Sequence, residues 1–264
     1  MDRDFFMVRP RANPFNEIEE KWMGILYDQL IEVMHHSIPF TRIAFISIYG
    51  SQNYHLAGPY SDIDSECFIF PSMDDLCFAK TPTSFKLHTE YGDVYVKDIR
   101  LMFDELRKVS PNILEILASD YMWMNKEYSY YINSILMNVD MFAKLSTYKL
   151  FKGLEGLLHR YGNPLELSPK YLVNAMRIQQ MIQRIYEGEE FSSTLIPNNV
   201  VGLFNMKYRD PMPEDNDILE TTILNARTIL DNYFNNHEFV FQPQIKEVIN
   251  DYQRVLLLTY ICDR

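Results

Sequence analysis

The sequence predicts an α+β (α/β) chain, a small mixed β-sheet core with flanking helices followed by a C-terminal helical domain. Three observations predict it. Two short apolar runs, Ile43 to Tyr49 and Cys67 to Phe70, are separated by a segment rich in Gly, Pro and Asp, the pattern of neighbouring strands. A third run, His88 to Ile99, alternates apolar and polar residues at the period of a strand. From about Lys126 onward the pattern becomes almost wholly helical. The boundary falls near Asp120 to Lys126, giving a core of residues 1–122 and a helical domain of residues 123–264.

Taken in order, residues Asn13 to His36 carry a helical pattern. Asn13 is placed to cap, Pro14 stands at the first helical position, and Ile18, Trp22, Ile25, Leu26, Leu30 and Val33 recur every three or four residues. The strand from Ile43 stops at Gly50-Ser51, and a short helix or loop leads to the strand ending at Phe70. A short helix is expected around Met73 to Phe78, then a loop through Pro82. Along His88 to Ile99, Val94, Val96 and Asp98 fall on one face. Arg100 to Val109 and Ile113 to Ser119 read as helices broken at Ser110-Pro111-Asn112. The second half predicts helices over Lys126–Met137, Met141–Tyr161, Pro169–Tyr186, Asp215–Asn235 and Gln244–Ile261, with breaks at Asn163-Pro164, Gly188 and Pro211-Met212-Pro213.

The totals bound the function. A chain of 264 residues with 47% apolar content is long and apolar enough for a packed core. Its net charge of −11 argues against non-specific coating of DNA, which needs clustered Lys and Arg, but leaves room for a local basic groove. Cys67, Cys77 and Cys262 share no metal-ligand spacing and read as reduced thiols. The six histidines form no zinc-type constellation. No secretory pattern opens the chain and no apolar run approaches a membrane span. A soluble, cytoplasmic protein is expected, with no membrane partner.

The chemistry concentrates in IAFISIYGSQNYHLAGPYSDIDSECFIF, Ile43 to Phe70. Side chains alternate along a strand, so Asp62 and Asp64 project to one side. Two carboxylates held together repel unless a cation or shared proton relieves them. Such oxygen ligands suit Mg²⁺ (or Mn²⁺), usually held by one or two carboxylates together with substrate phosphates. Gly50 permits a turn that a β-carbon would hinder, and Ser51 can cap a following helix whose N–H groups attract phosphate. A cradle and an Asp pair on adjacent elements imply a metal–nucleotide site.

Gly50-Ser51 followed by Asp62-x-Asp64 resembles the signature of the DNA polymerase beta-like nucleotidyltransferase superfamily. The spelling GSQNYHLAGPYSDIDSE is closer to a bacterial and phage branch labelled predicted nucleotidyltransferases, with His55 standing where that branch has a small glycine. The resemblance implies a third carboxylate on a following strand, matched by Asp98 within Lys97-Asp98-Ile99-Arg100. SPNILEILAS, Ser110 to Ser119, resembles a further segment of the branch, where Asn112 and Glu115 read more readily as cap and solvent-exposed residue than as substrate contacts. Lys170 to Ile178 resembles a Lys-x-x-x-His-x-x-Arg-Leu element, with Asn174 in place of His. Lys170, Asn174 and Arg177 share one helix face, and Lys170 and Arg177 would help Gly50 and Ser51 hold the triphosphate.

The resemblance thus implies a metal-dependent enzyme moving an NMP from an NTP to a hydroxyl acceptor. Asp62, Asp64 and Asp98 would be the catalytic and metal-binding carboxylates, and the acceptor is left open among an RNA end, a small molecule and a protein. A non-catalytic nucleotide sensor and a toxin–antitoxin or defence-type interaction module are the rival classes. Lys149 and Lys152 read as a solvated helical face, and Tyr54, Tyr60 and Tyr148 are candidates to stack a base.

Overall fold

The computed structural model describes residues 5–162, 168–238 and 243–262. The Asn163-Pro164 break lies outside them. The architecture is α+β. In chain order the elements are β1 (Phe6–Val8), α1 (Glu17–His35), β2 (Ile43–Ile48), β3 (Ser65–Ile69), α2 (Met73–Cys77), β4 (Ser84–His88), β5 (Asp93–Asp98), α3 (Ile99–Arg107), α4 (Pro111–Ala118) and β6 (Met122–Asn125). Helices follow: α5 (Ser129–Leu136), α6 (Val139–Leu145), α7 (Thr147–Gly162), α8 (Pro169–Tyr186), α9 (Phe191–Thr194), α10 (Val200–Lys207), α11 (Asp215–Asn236) and α12 (Pro243–Cys262). Among the described residues no helix is long and apolar enough to cross a membrane.

The strands form one mixed sheet in the order β1-β6-β2-β3-β5-β4, with only β3 and β5 parallel. All six residues of β2 are buried, as an apolar central strand covered on both faces requires. One face carries Ile46, Ile48, Cys67, Ile69, Val94 and Val96 against Leu26, Leu30 and Val33 of α1. The other carries Phe45, Phe68 and Phe70 against the later helices, in a core that runs without a break to Leu154, Ile178 and Tyr260. The helical half therefore folds onto the sheet rather than beside it.

Several boundaries differ from the sequence reading for local physical reasons. Asn16, not Asn13, caps α1, because its side chain accepts from Ile18 N and Glu19 N while Glu19 returns a bond to the cap. The His88 to Ile99 run is split by a turn at Glu90 to Gly92 into the end of β4 and all of β5. Strand β6 crosses the expected boundary at residue 122, since Trp123 and Met124 pair with Ile46 and Phe45. The single helix expected over Met141–Tyr161 breaks at Ser146 into α6 and α7. Cys67 is buried, Cys77 and Cys262 are exposed, and none is in a disulfide.

Candidate functional site

The segment before β3 is held by backbone bonds. Ile63 N donates to Tyr91 O at 2.8 Å and Tyr49 N to Asp64 O at 3.1 Å, extending the sheet past its formal ends. Gln52 Nε2 donates to Asp62 O at 2.8 Å. Gly92, at φ +151°, is required here: a β-carbon would sit 2.4 Å from Ile63 O. Ile63 turns into the core, so Asp62, Asp64 and Glu66 alternate onto the opposite side and line one cleft of about 780 Å³.

The turn after β2 forms the next wall. Gly50 has φ +93° with open space around it, so backbone conformation rather than room selects glycine. No helix starts at Ser51. Residues 51–55 form successive turns, closed by Asn53 N to Gly50 O and Leu56 N to Ser51 O. The N–H groups of Ser51 and Gln52 donate to nothing among the described residues, and both residues border the cleft. His55 has φ +57°, the left-handed region that favours glycine; the departure from the branch pattern falls where the backbone conformation is least suited to a side chain.

Glu115 of α4 supports this turn from below. It is 8% exposed, contrary to its reading as a solvent-exposed residue. Its Oε1 accepts from Gly50 N at 2.7 Å, and its other oxygen accepts from the Tyr54 hydroxyl. Burial pushes the Glu115 carboxyl up, opposed chiefly by Arg177. Burial likewise holds the Tyr54 phenol well above its usual range. The Arg177 guanidinium of α8 lies 3.5 Å from the Tyr54 ring centre, and with that face covered and the residue buried Tyr54 does not present its ring to a base. Among the described residues Arg177 Nε is buried without a hydrogen-bond partner. Lys170, Asn174 and Arg177 line the cleft with Asp62 and Asp64, so α8 supplies the face that the Lys170 to Ile178 spacing indicated.

Asp98 is elsewhere. In the parallel register Ser65 pairs with Val94 and Ile69 with Asp98, so side chains of Asp64 and Glu66 share a face with Tyr95 and Lys97, while Asp98 shares the α1 face with Val94 and Val96. Asp98 also sits at the far end of β5, where it caps α3 through Arg100 N and pairs with the Arg100 guanidinium at 2.7 Å. It does not line the cleft. The expectation of a third site carboxylate at Asp98 is corrected on both counts. Asp93, level with Asp64, is tied to Lys86 at 2.6 Å and His88 at 2.7 Å.

What β5 presents to the aspartates instead is Tyr95 and Lys97. Lys97 Nζ lies 2.7 Å from Glu66 and 3.3 Å from Glu105. Burial acts against the ammonium, but Glu66 and then Glu105 outweigh it and raise Lys97. Burial raises Glu66 to about 7 despite Lys97. Burial, then Asp64, raises the Tyr49 phenol.

The acidic turn is also clasped from the helical half. The Tyr208 hydroxyl accepts from Gly58 N at 2.7 Å and lies 2.8 Å from Ser61 Oγ, while Lys207 Nζ donates to Leu56 O at 2.8 Å. Although burial acts upward, these partners bring Tyr208 below its ordinary value. Nothing in the sequence marks Lys207 or Tyr208. Glu66 was legible, two residues beyond Asp64 on the same alternation.

Among the described residues no group of three or more His, Cys, Asp or Glu side chains is close enough to hold an ion alone. Asp62 forms no ion pair there, and Asp64 uses Oδ1 to accept from Asp93 N at 3.0 Å. Two carboxylates with unengaged oxygens fit Mg²⁺ in the form that shares its coordination with substrate phosphates. No protein-family model matches the chain, and no curated protein matches it in sequence.

Proposed function

We propose that this chain is a metal-dependent nucleotidyltransferase of the DNA polymerase beta-like kind, moving an NMP from an NTP to a hydroxyl acceptor with release of pyrophosphate. The observation that carries the reading is the meeting of Asp62 and Asp64 with the Gly50-Ser51 turn and with Lys170 and Arg177 in one cleft. The free N–H groups of Ser51 and Gln52, with Lys170, receive the triphosphate, and Glu115 holds the turn in the conformation that exposes them. Asp62 and Asp64 orient the cation that accompanies the nucleotide. Bound Mg²⁺ or Mn²⁺ supplies charge neutralisation at the phosphates. The acceptor oxygen attacks the α-phosphorus, its proton leaves to solvent or a carboxylate, and the bond to pyrophosphate breaks. Catalysis by this chain is then mainly positioning and electrostatics.

A second reading, a non-catalytic nucleotide sensor, is favoured by one observation. On the face of β5 beside the aspartates, Asp93 is spent on Lys86 and His88, and the residues that line the cleft are Tyr95 and Lys97. The two separate on label transfer from each α-labelled NTP, with Mg²⁺ or Mn²⁺, to RNA, protein and small-molecule acceptors. Label transferred by the parent and not by Asp62→Ala/Asp64→Ala supports the enzyme. Metal-dependent nucleotide binding, lost in that variant, with no label anywhere, supports the sensor.

A further inference from the structure

Beside the acidic cleft runs a second depression of about 700 Å³, bounded by the end of α3, the turn into α4 and one face of α7. Both are lined by Asn112, Leu157 and Arg160, so they adjoin along these three residues. The groove is lined by five cations, Arg107, Lys108, Lys149, Lys152 and Arg160, and by no carboxylate. In a chain of net charge −11 that is a local reversal of sign.

Two of the five have ion-pair partners outside the groove: Arg107 with Asp104 at 2.8 Å and Lys152 with Glu155 at 2.9 Å. Lys108, Lys149 and Arg160 form no ion pair among the described residues, and Lys149 uses one of its donors on Arg107 O at 3.0 Å. Lys149, Lys152, Gly156 and Arg160 recur every three or four residues, so they follow one face of α7. From Lys149 to Arg160 the helix advances roughly 16 Å. The floor is apolar. Gly153 meets the Pro111 ring, where a β-carbon would lie 2.5 Å from Cδ, and Gly156 stands over open space. Leu157 continues the surface into the acidic cleft.

We infer that this groove seats a single-stranded nucleic acid, whose end reaches the acidic cleft as the acceptor. The acceptor part rests on the nucleotidyltransferase reading above. A single phosphorylated metabolite needs one cluster of cations, whereas a row of this length complements a repeating phosphate backbone. An apolar floor between the charges suits sugar and base faces without reading their identity. The acidic remainder of the surface confines the strand to the groove.

The test uses the full chain and an oligouridylate carrying a fluorophore at its 5′ end, followed by anisotropy across a salt series. Lys108→Glu/Lys152→Glu changes two exposed groove residues that do not line the acidic cleft. Expected are salt-dependent binding by the parent, affinity lower by about tenfold or more in the variant, and a salt slope smaller by about 1.4. Metal-dependent binding of a fluorescent NTP stays at the parental level in that variant, showing that the fold and cleft are intact. Equal oligonucleotide affinity in parent and variant overturns the inference, as does salt-independent binding. Displacement of the oligonucleotide by polyglutamate as readily as by unlabelled oligouridylate also overturns it, in favour of an acidic protein partner. Asp62→Ala/Asp64→Ala binds the oligonucleotide like the parent but transfers no label to it. Failure of the parent to label the bound strand, with the groove effect intact, removes the acceptor role while leaving the nucleic-acid site; the transfer reading falls with it only when RNA, protein and small-molecule acceptors all stay unlabelled.

Discussion

Lys97 Nζ lies 2.7 Å from Glu66 Oε1, on the face of the sheet that also carries Asp64. An ammonium thus stands beside the acidic cluster at the end where a further carboxylate was expected. Glu66 is moved from its ordinary 4.5 to about 7, chiefly by burial, with Lys97 as the main opposing influence.

That shift fixes a pH dependence of stability. Between about 4.5 and 7 the folded state holds the Glu66 proton more tightly than the unfolded state, so stability falls as pH rises through this window. The size is at most about 3–4 kcal/mol. Denaturant midpoints in chelator-containing buffer are expected to decline between pH 5 and 7.5, and Glu66→Gln to flatten the decline. An unchanged slope in that variant would assign the dependence to another group.

Asp98 and Asp62 are expected to separate cleanly. Asp98→Ala removes the cap of α3 and leaves Arg100 without its carboxylate, at about 1–3 kcal/mol. It leaves metal-dependent NTP affinity unchanged when measured below the unfolding transition. Asp62→Ala does the reverse, with parental stability and loss of that affinity. Calorimetry on both variants, with and without Mg²⁺, checks the pair.

Glu115→Ala strands Gly50 N–H and the Tyr54 hydroxyl and removes a buried carboxylate that Arg177 favours electrostatically. The expected destabilisation is about 3 kcal/mol or more, by thermal or urea unfolding. Hydrogen exchange at residues 50–55 should accelerate with it. A surface-like effect of a few tenths would mean that the turn is held by other contacts.

Two opposite substitutions test the backbone of the same turn. His55→Gly relieves a left-handed residue at φ +57° and is expected to stabilise by up to about 1 kcal/mol. Gly50→Ala, at φ +93°, is expected to cost about 1–2 kcal/mol although the space beside it is open. Unfolding midpoints that fail to move in opposite directions would contradict the turn geometry.

Short-range patterns carried the α+β class, strand β2, most of β3, helices α3, α4, α8 and α11, and the pairing of Asp62 with Asp64. Each depends on periodicity within one element, which a sequence displays directly. The shared helix face of Lys170, Asn174 and Arg177 was legible for the same reason, and the cleft they line with the aspartates was not. Sheet register decided the rest. Alternation along β5 placed Asp98 with Val94 and Val96, but only the pairing of Ser65 with Val94 sets that face opposite Asp64. Likewise Glu115 looks exposed on an isolated helix and is buried because α4 packs beneath the Gly50 turn. Lys207 and Tyr208 reach the acidic turn across about 150 residues of chain. The Lys149 and Lys152 face read as solvated, and it became one wall of a groove when α7 packed beside the α3–α4 turn. A one-residue change of parity or a single packing contact reverses such assignments, and neither is written in local composition.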